Sequence, residues 1–189
     1  MMKEVKKAAV LIPFTLKEGK LSIILTVREK NLNQHSGQIC FPGGKQEPGE
    51  TPLKTALREI EEEIGIKGED IEVIGEIEEE MVYKTGYLVK PFVGLIKGKP
   101  DFKVNEKEVK EVIVIPLEDL KKIPVKIESF KLGDKEISYP VYNWQGYRIW
   151  GATARIVSKL LERKDVLDEL NRRAHVYFGR DMEGHRTGR

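Results

Sequence analysis

Four glutamates and one arginine occupy the six residues Arg58-Glu59-Ile60-Glu61-Glu62-Glu63, within the stretch 44–66, GKQEPGETPLKTALREIEEEIGI. Thr51 followed by Pro52 reads as the N-cap and first residue of a helix, because proline gives up no hydrogen bond there. Leu53, Ala56, Leu57, Ile60 and Ile64 recur at helical spacing and define one apolar face. Gly65 supplies the left-handed residue that ends the helix. At ~100° per residue, Glu59, Glu62 and Glu63 fall within ~100° of one another beside that face, and Glu61 projects to solvent. Carboxylates on one helix edge repel each other unless a cation lies among them. Their hard oxygens suit Mg²⁺ or Mn²⁺ rather than zinc. Arg58 lies one turn before Glu62 and can hold that carboxylate in place. The competing reading of EIEEE alone is an acidic helix that faces water.

Phe41-Pro42-Gly43-Gly44 precedes the helix and would form the facing wall. A side chain at either glycine would keep the backbone away from a metal or a phosphate. Hydrolysis of a diphosphate needs charge neutralisation on its oxygens and a positioned water, and bound divalent ions supply both. A general base within hydrogen-bond reach completes the requirement. Glu59 fits either a ligand or the base, and Glu50, at the mouth of the helix, either supports the loop or serves a second metal.

Residues 44–66 match the pattern G-x5-E-x7-R-E-U-x-E-E-x-G-U, where U is a bulky aliphatic residue, without a gap or a substitution. This is the Nudix box, and a chance match at a given start is on the order of 10⁻⁹. The chain therefore resembles the Nudix hydrolases, metal-dependent enzymes that split nucleoside diphosphates linked to another group. The resemblance implies an α/β fold, the Nudix α/β/α sandwich with a mixed central sheet. It also implies Glu59, Glu62, Glu63 and the Gly43 carbonyl as metal ligands. A glutamate outside the box often completes such a site. The candidate is Glu108, in Asn105-Glu106-Lys107-Glu108-Val109 before the apolar run 112–115; its alternative is a solvated loop carboxylate.

The upstream segment 25–50, LTVREKNLNQHSGQICFPGGKQEPGE, resembles the signature of the coenzyme A diphosphatases. Thr26, Arg28, Leu32, His35, Gly37, Gln38, Phe41, Pro42, Gly43 and Gly44 match it. Glu29 departs from the serine that often follows the arginine. Further matches are Pro91-Phe92-Val93-Gly94, Asn105 with Glu108-Val109, Ile115-Pro116-Leu117, and Ile149-Trp150-Gly151 with Thr153-Ala154. This resemblance implies cleavage of coenzyme A or acyl-coenzyme A into 3′,5′-ADP and the (acyl-)4′-phosphopantetheine. Arg28 is a fixed cation with a planar donor fork suited to a phosphate oxygen, or else a surface strand residue. His35 and Gln38 orient the loop or touch substrate, and Gly44 would lie against it. Tyr139, Tyr142, Trp144, Tyr147 and Trp150 either stack an adenine or pack a core. The other readings are a pyrophosphatase of ADP-ribose or a reduced nicotinamide dinucleotide, a non-catalytic nucleotide-binding Nudix domain, and a Nudix-fold isomerase or decapping enzyme.

The elements that must hold these residues follow from pattern. Strands are expected near 7–15, 21–28, 71–81, 87–96 and 111–116, with the signature on a loop 29–49. A short helical turn is expected at 117–121, a hairpin at 127–132 and 136–142 around Gly133-Asp134, and helices at 151–163 and 165–177. Residues 1–178 read as a single domain, and 179–189 as a flexible polar tail. Thirty-three basic against thirty-one acidic residues, a net charge of +2, make no electrostatic case for nucleic acid. No apolar run approaches a membrane span, and the N-terminal apolar stretch lacks a cleavage site. Cys40 is the only cysteine, which suits a cytoplasmic protein, and it reads as packed rather than nucleophilic. The partner expected is a small nucleotide, with a homodimer carried over from the superfamily.

Overall fold

The computed structural model describes residues 4–30 and 37–182. Its centre is a mixed sheet. The strands β1 (Lys6–Lys17), β2 (Lys20–Arg28), β3 (Ile39–Cys40), β4 (Gly43–Lys45), β5 (Ile71–Glu76), β6 (Glu80–Val82), β7 (Tyr87–Ile96) and β8 (Val109–Pro116) belong to it. The order runs β3-β2-β1-β7-β5, with β4 on β1, β6 on β7 and β8 on β2. Only β1 and β7 run parallel; every other pair in this sheet is antiparallel. A second antiparallel sheet contains β9 (Lys126–Leu132), β10 (Lys135–Trp144) and β11 (Tyr147–Ile149).

Alternation along β1 sorts its side chains between two cores, as the period of two demands. Ala9 and Leu11 meet Ala56, Ile60 and Ile64 of α1 (Pro52–Ile64) on one face. Ile12 and Phe14 face the opposite side, with Val157, Leu160, Leu170 and Ala174 of α3 (Gly151–Glu162) and α4 (Lys164–Phe178). The short α2 (Leu117–Lys122) closes one edge through Leu117 and Leu120. Each fully buried isoleucine contributes about 1.5–3 kcal/mol, so both faces are firmly covered. The result is the α/β/α sandwich expected from the resemblance.

Two differences from the sequence reading concern short pairing. The expected strand 71–81 divides into β5 and β6, with Ile77 buried between them. The expected loop 29–49 contains β3 and β4, which dock on β2 and β1 and fix the glycine wall against the sheet. Met182, inside the segment expected as a tail, is buried with the α3 and α4 core. Leu32 and His35 lie outside the described residues, as do residues 183–189. Among the described residues, no helix is long and apolar enough to cross a membrane.

Candidate active site

The helix α1 begins as its sequence dictates: Thr51 Oγ1 accepts the Lys54 N–H at 3.2 Å, and Pro52 is the first helical residue. It ends at Gly65 with φ 76°, whose N–H donates to the Glu61 carbonyl at 2.9 Å. A side chain at Gly65 would also collide with Lys103. The segment after the helix docks on this end, with the Lys103 and Asn105 N–H groups donating to the Ile64 and Glu63 carbonyls at 2.9 Å each. That contact carries the chain directly to Glu108, whose carbonyl accepts the Glu29 N–H at 2.9 Å.

Glu59, Glu63 and Glu108 consequently line one cavity of about 430 Å³, together with Arg28, Gln38, Gly43 and Gly44. Glu63 is only 3% exposed. Burial, followed by the nearby Glu59 and Glu108 charges, pushes its carboxyl up to about 8, against the pull of Arg28 and the Gly43 N–H. Burial also raises Glu59, with Glu62 and Glu108 adding to the effect and Arg58 opposing it. The glycine wall comes as close as the sequence requires. A Cβ on Gly44 would lie 2.4 Å from Glu59 Oε1, and one on Gly43 would lie 2.4 Å from the Ala9 carbonyl oxygen.

Glu62 stands apart from this group. Its side chain is 52% exposed, pairs with Arg58 at 3.2 Å and does not line the cavity. The ~100° between Glu62 and Glu63 on the helix carries one outward while the other turns in. Arg58 organises the outer edge. Its Nε and Nη2 donate to the two Glu50 oxygens at 2.6 and 3.1 Å, and Nη1 reaches Glu59 at 2.9 Å. Thr55 Oγ1 and the Glu47 N–H also bond Glu50 Oε2, at 2.7 and 3.0 Å. These bonds, that from Arg58 first, lower the Glu50 carboxyl to about 2. These bonds tie Glu50 to the loop and the helix, which favours the first of the two roles its position suggested.

Arg28 sits on the facing wall. Its backbone N–H donates to the Gln38 carbonyl at 2.9 Å, and the Gly37 N–H returns to the Arg28 carbonyl at 3.1 Å. Its side-chain Nε is buried without a hydrogen-bond partner among the described residues. Cys40 shares this wall, half-buried at the cavity, and desolvation pushes its thiol up, which disfavours the thiolate. Of the aromatic segment singled out in the sequence, only Trp150 lines the cavity. Tyr142 is buried and bonded to Ser158 at 2.6 Å, while Trp144 donates to Asp119 at 3.0 Å and stacks on Tyr147.

Sequence reasoning missed Tyr83, Lys84, Thr85, Phe130 and Arg155, which also line the cavity. Residues 83–86 form a four-residue turn between β6 and β7, where Val82 pairs with Tyr87. A turn ending in glycine was the one local signal, but nothing in it says what the turn overhangs.

A NUDIX domain model matches residues 5–136. The chain belongs to the Nudix family. Nudix hydrolase 3 of Caenorhabditis elegans is 32% identical over 170 residues, covering 81% of this chain and 71% of that protein. The Nudix hydrolase NudL of Yersinia pestis (strain Pestoides F) is 35% identical over 164 residues, covering 85% and 81%. Among solved structures, a MutT/nudix family protein from Enterococcus faecalis aligns with a TM-score of 0.60 at 16% identity, over 90% of this chain and 69% of that one. The NUDIX domain of Shewanella oneidensis NrtR, complexed with ADP ribose, aligns with a TM-score of 0.58 at 16% identity, over 86% and 90%. At those identities the likeness shows the Nudix fold. The Nudix hydrolase described here therefore belongs to a class of enzymes that break diphosphate linkages and generally use divalent metals.

The donor chemistry fits such a metal. Glu59, Glu63 and Glu108 offer hard oxygens to one space, and burial makes negative charge on Glu59 and Glu63 costly without a cation. Among the described residues, no three His, Cys, Asp or Glu side chains are gathered tightly enough to form a ready cage. One oxygen of Glu59 is held by Arg58 instead.

Proposed function

We propose that this Nudix hydrolase cleaves the diphosphate of coenzyme A or acyl-coenzyme A to 3′,5′-ADP and (acyl-)4′-phosphopantetheine, using Mg²⁺ or Mn²⁺. The observation that carries the reading is the cavity itself. Arg28 and Gln38, from the segment that resembles the coenzyme A diphosphatase signature, face the same space as the box carboxylates Glu59 and Glu63. Glu59 and Glu63, with the Gly43 carbonyl, would hold the metal, and Glu62 would join only on the exposed side. The bound ion supplies positive charge for the diphosphate oxygens and lowers the pKa of the attacking water. Arg28, a fixed cation on the cavity wall, clamps a non-bridging phosphate oxygen with its guanidinium. Gly43 and Gly44 leave room for the diphosphate against the backbone. Glu108 takes the proton of the attacking water; Glu59, with one oxygen held by Arg58, would do so only in place of binding the metal. Arg58 keeps Glu59 in place from the far side, so it is a positioning residue.

The test is product identification by mass after incubation with coenzyme A, ADP-ribose and a reduced nicotinamide dinucleotide, each with Mg²⁺ or Mn²⁺. Metal-dependent 3′,5′-ADP and 4′-phosphopantetheine, formed faster than the other products, is the expected result. Faster cleavage of either alternative would keep the chemistry and reject the substrate. A second expectation concerns Arg28→Ala. It should lower kcat/KM for coenzyme A about a hundredfold, as loss of a charge-assisted phosphate contact does, with little change in melting temperature. Wild-type kcat/KM in that variant would remove Arg28 as a clamp.

A further inference from the structure

The part of the cavity lining that comes from the 83–86 turn, β9 and α3 has its own chemistry. Trp150, Tyr83 and Phe130 supply its rings, and Lys84 and Arg155 its cations. The cations rest on rings. Lys84 Nζ lies 5.2 Å from the Trp150 centroid, and the Arg155 guanidinium 4.8 Å from that of Tyr83. Their situations differ, however. Arg155 is held by the buried Glu80, at 2.9 Å from Nε, and Lys159 shares that carboxylate at 2.6 Å. Glu80 thus fixes Arg155 as a strut behind Tyr83. Lys84 pairs with no carboxylate among the described residues and rests on the Trp150 ring instead. Gly151, Ala152 and Thr153, the first turn of α3, line the same part of the cavity, and no side chain caps that turn.

Trp150 carries two cations, Lys84 and the Arg148 guanidinium at 5.3 Å, so a flat ring that carries its own anion would take the place of Lys84 on the indole and pair with the displaced ammonium and the uncapped backbone N–H groups. The acidic residues that line the cavity are Glu59, Glu63 and Glu108, none of them on the 83–86 turn or on α3, and Glu80 behind Arg155 is paired with Arg155 and Lys159. Such a separation orients a ligand that has a diphosphate at one end and a second, isolated phosphate at the other. We propose that Trp150 and Lys84 form a subsite for a purine nucleoside with a phosphate monoester on its ribose, Trp150 taking the ring and Lys84 the phosphate. This deepens the coenzyme A reading and rests on it for the diphosphate end alone. The ribose phosphate sits at the 3′ position in coenzyme A and at the 2′ position in phosphorylated nicotinamide dinucleotides, so both positions belong in the test.

The experiment is calorimetric binding of 3′,5′-ADP, 2′,5′-ADP and 5′-AMP to the full chain, which needs no turnover. One or both bisphosphates should bind about tenfold more tightly than 5′-AMP, and whichever does so identifies the ribose position. Lys84→Ala should erase that preference while leaving 5′-AMP affinity within about twofold. Trp150→Leu should weaken all three nucleotides by a common factor, and Trp150→Phe should restore much of the loss. Equal affinities for all three nucleotides in the wild type would overturn the subsite. A preference that survives in Lys84→Ala would do the same. If coenzyme A is not cleaved but the Lys84-dependent preference is present, the subsite stands and the substrate reading falls. If coenzyme A is cleaved with no such preference, the substrate reading stands and the subsite falls.

Discussion

Glu63→Gln is expected to lower turnover about a thousandfold with no loss of melting temperature. The two halves of that expectation have one cause. Glu63 is buried beneath the glycine wall, where burial already drives its carboxyl toward the neutral form. A neutral amide of the same shape therefore fits the folded state at least as well as the acid does. What the amide cannot do is present an anionic oxygen to a divalent ion among Glu59 and Glu108. Turnover at saturating metal, thermal denaturation and metal titration read the three quantities separately. Near-normal turnover with wild-type metal affinity would take Glu63 out of the ligand set. A collapse in melting temperature would show that the carboxylate is structural instead.

Much of this geometry was legible beforehand because the box is local. Cap, apolar stripe and terminating glycine lie within one helix, and the spacing of Glu59 and Glu63 decides which face they share. The same wheel contained the exception: an angle of ~100° looked small enough to gather three carboxylates but is wide enough to send Glu62 to solvent. Glu108 joined the cavity through long-range contacts that only its neighbour pattern foreshadowed, namely the docking of residues 103–105 on the helix end and the pairing of β8 with β2. The lining that Lys84, Phe130 and Arg155 add was not legible. Lys84 lies on a turn, Phe130 on a hairpin of a separate sheet and Arg155 on α3, and only the tertiary fold brings them to one cavity. The aromatic segment 139–150 shows the converse limit. Composition flagged five rings, and packing committed Tyr142, Trp144 and Tyr147 to other partners.

Arg58→Ala should impair both stability and catalysis, and pH separates the two effects. Arg58 bonds Glu50, Glu59, Glu62 and the Lys45 carbonyl at once, so its loss frees the loop before the helix together with one metal-ligand candidate. We expect turnover to fall about a hundredfold through misplacement of Glu59. The melting temperature at neutral pH should fall by several degrees. The Glu50 carboxyl sits at about 2 in the folded chain against an ordinary value of 4.5. A carboxyl lowered by folding stabilises the native state fully above its unfolded value, and that stabilisation is lost as pH falls through the folded one. The gap in melting temperature between wild type and Arg58→Ala should therefore be widest above pH 4.5 and narrow steadily toward pH 2. Arg58→Lys keeps the charge but lacks the fork that spans both Glu50 oxygens, so it should recover only part of either loss. A gap that stays constant across this range would show that Arg58 stabilises by packing its stem and not by holding Glu50. In that case the turnover loss would have to come from Glu59 alone, which the Glu59→Gln variant would reproduce without any change in the acid limb.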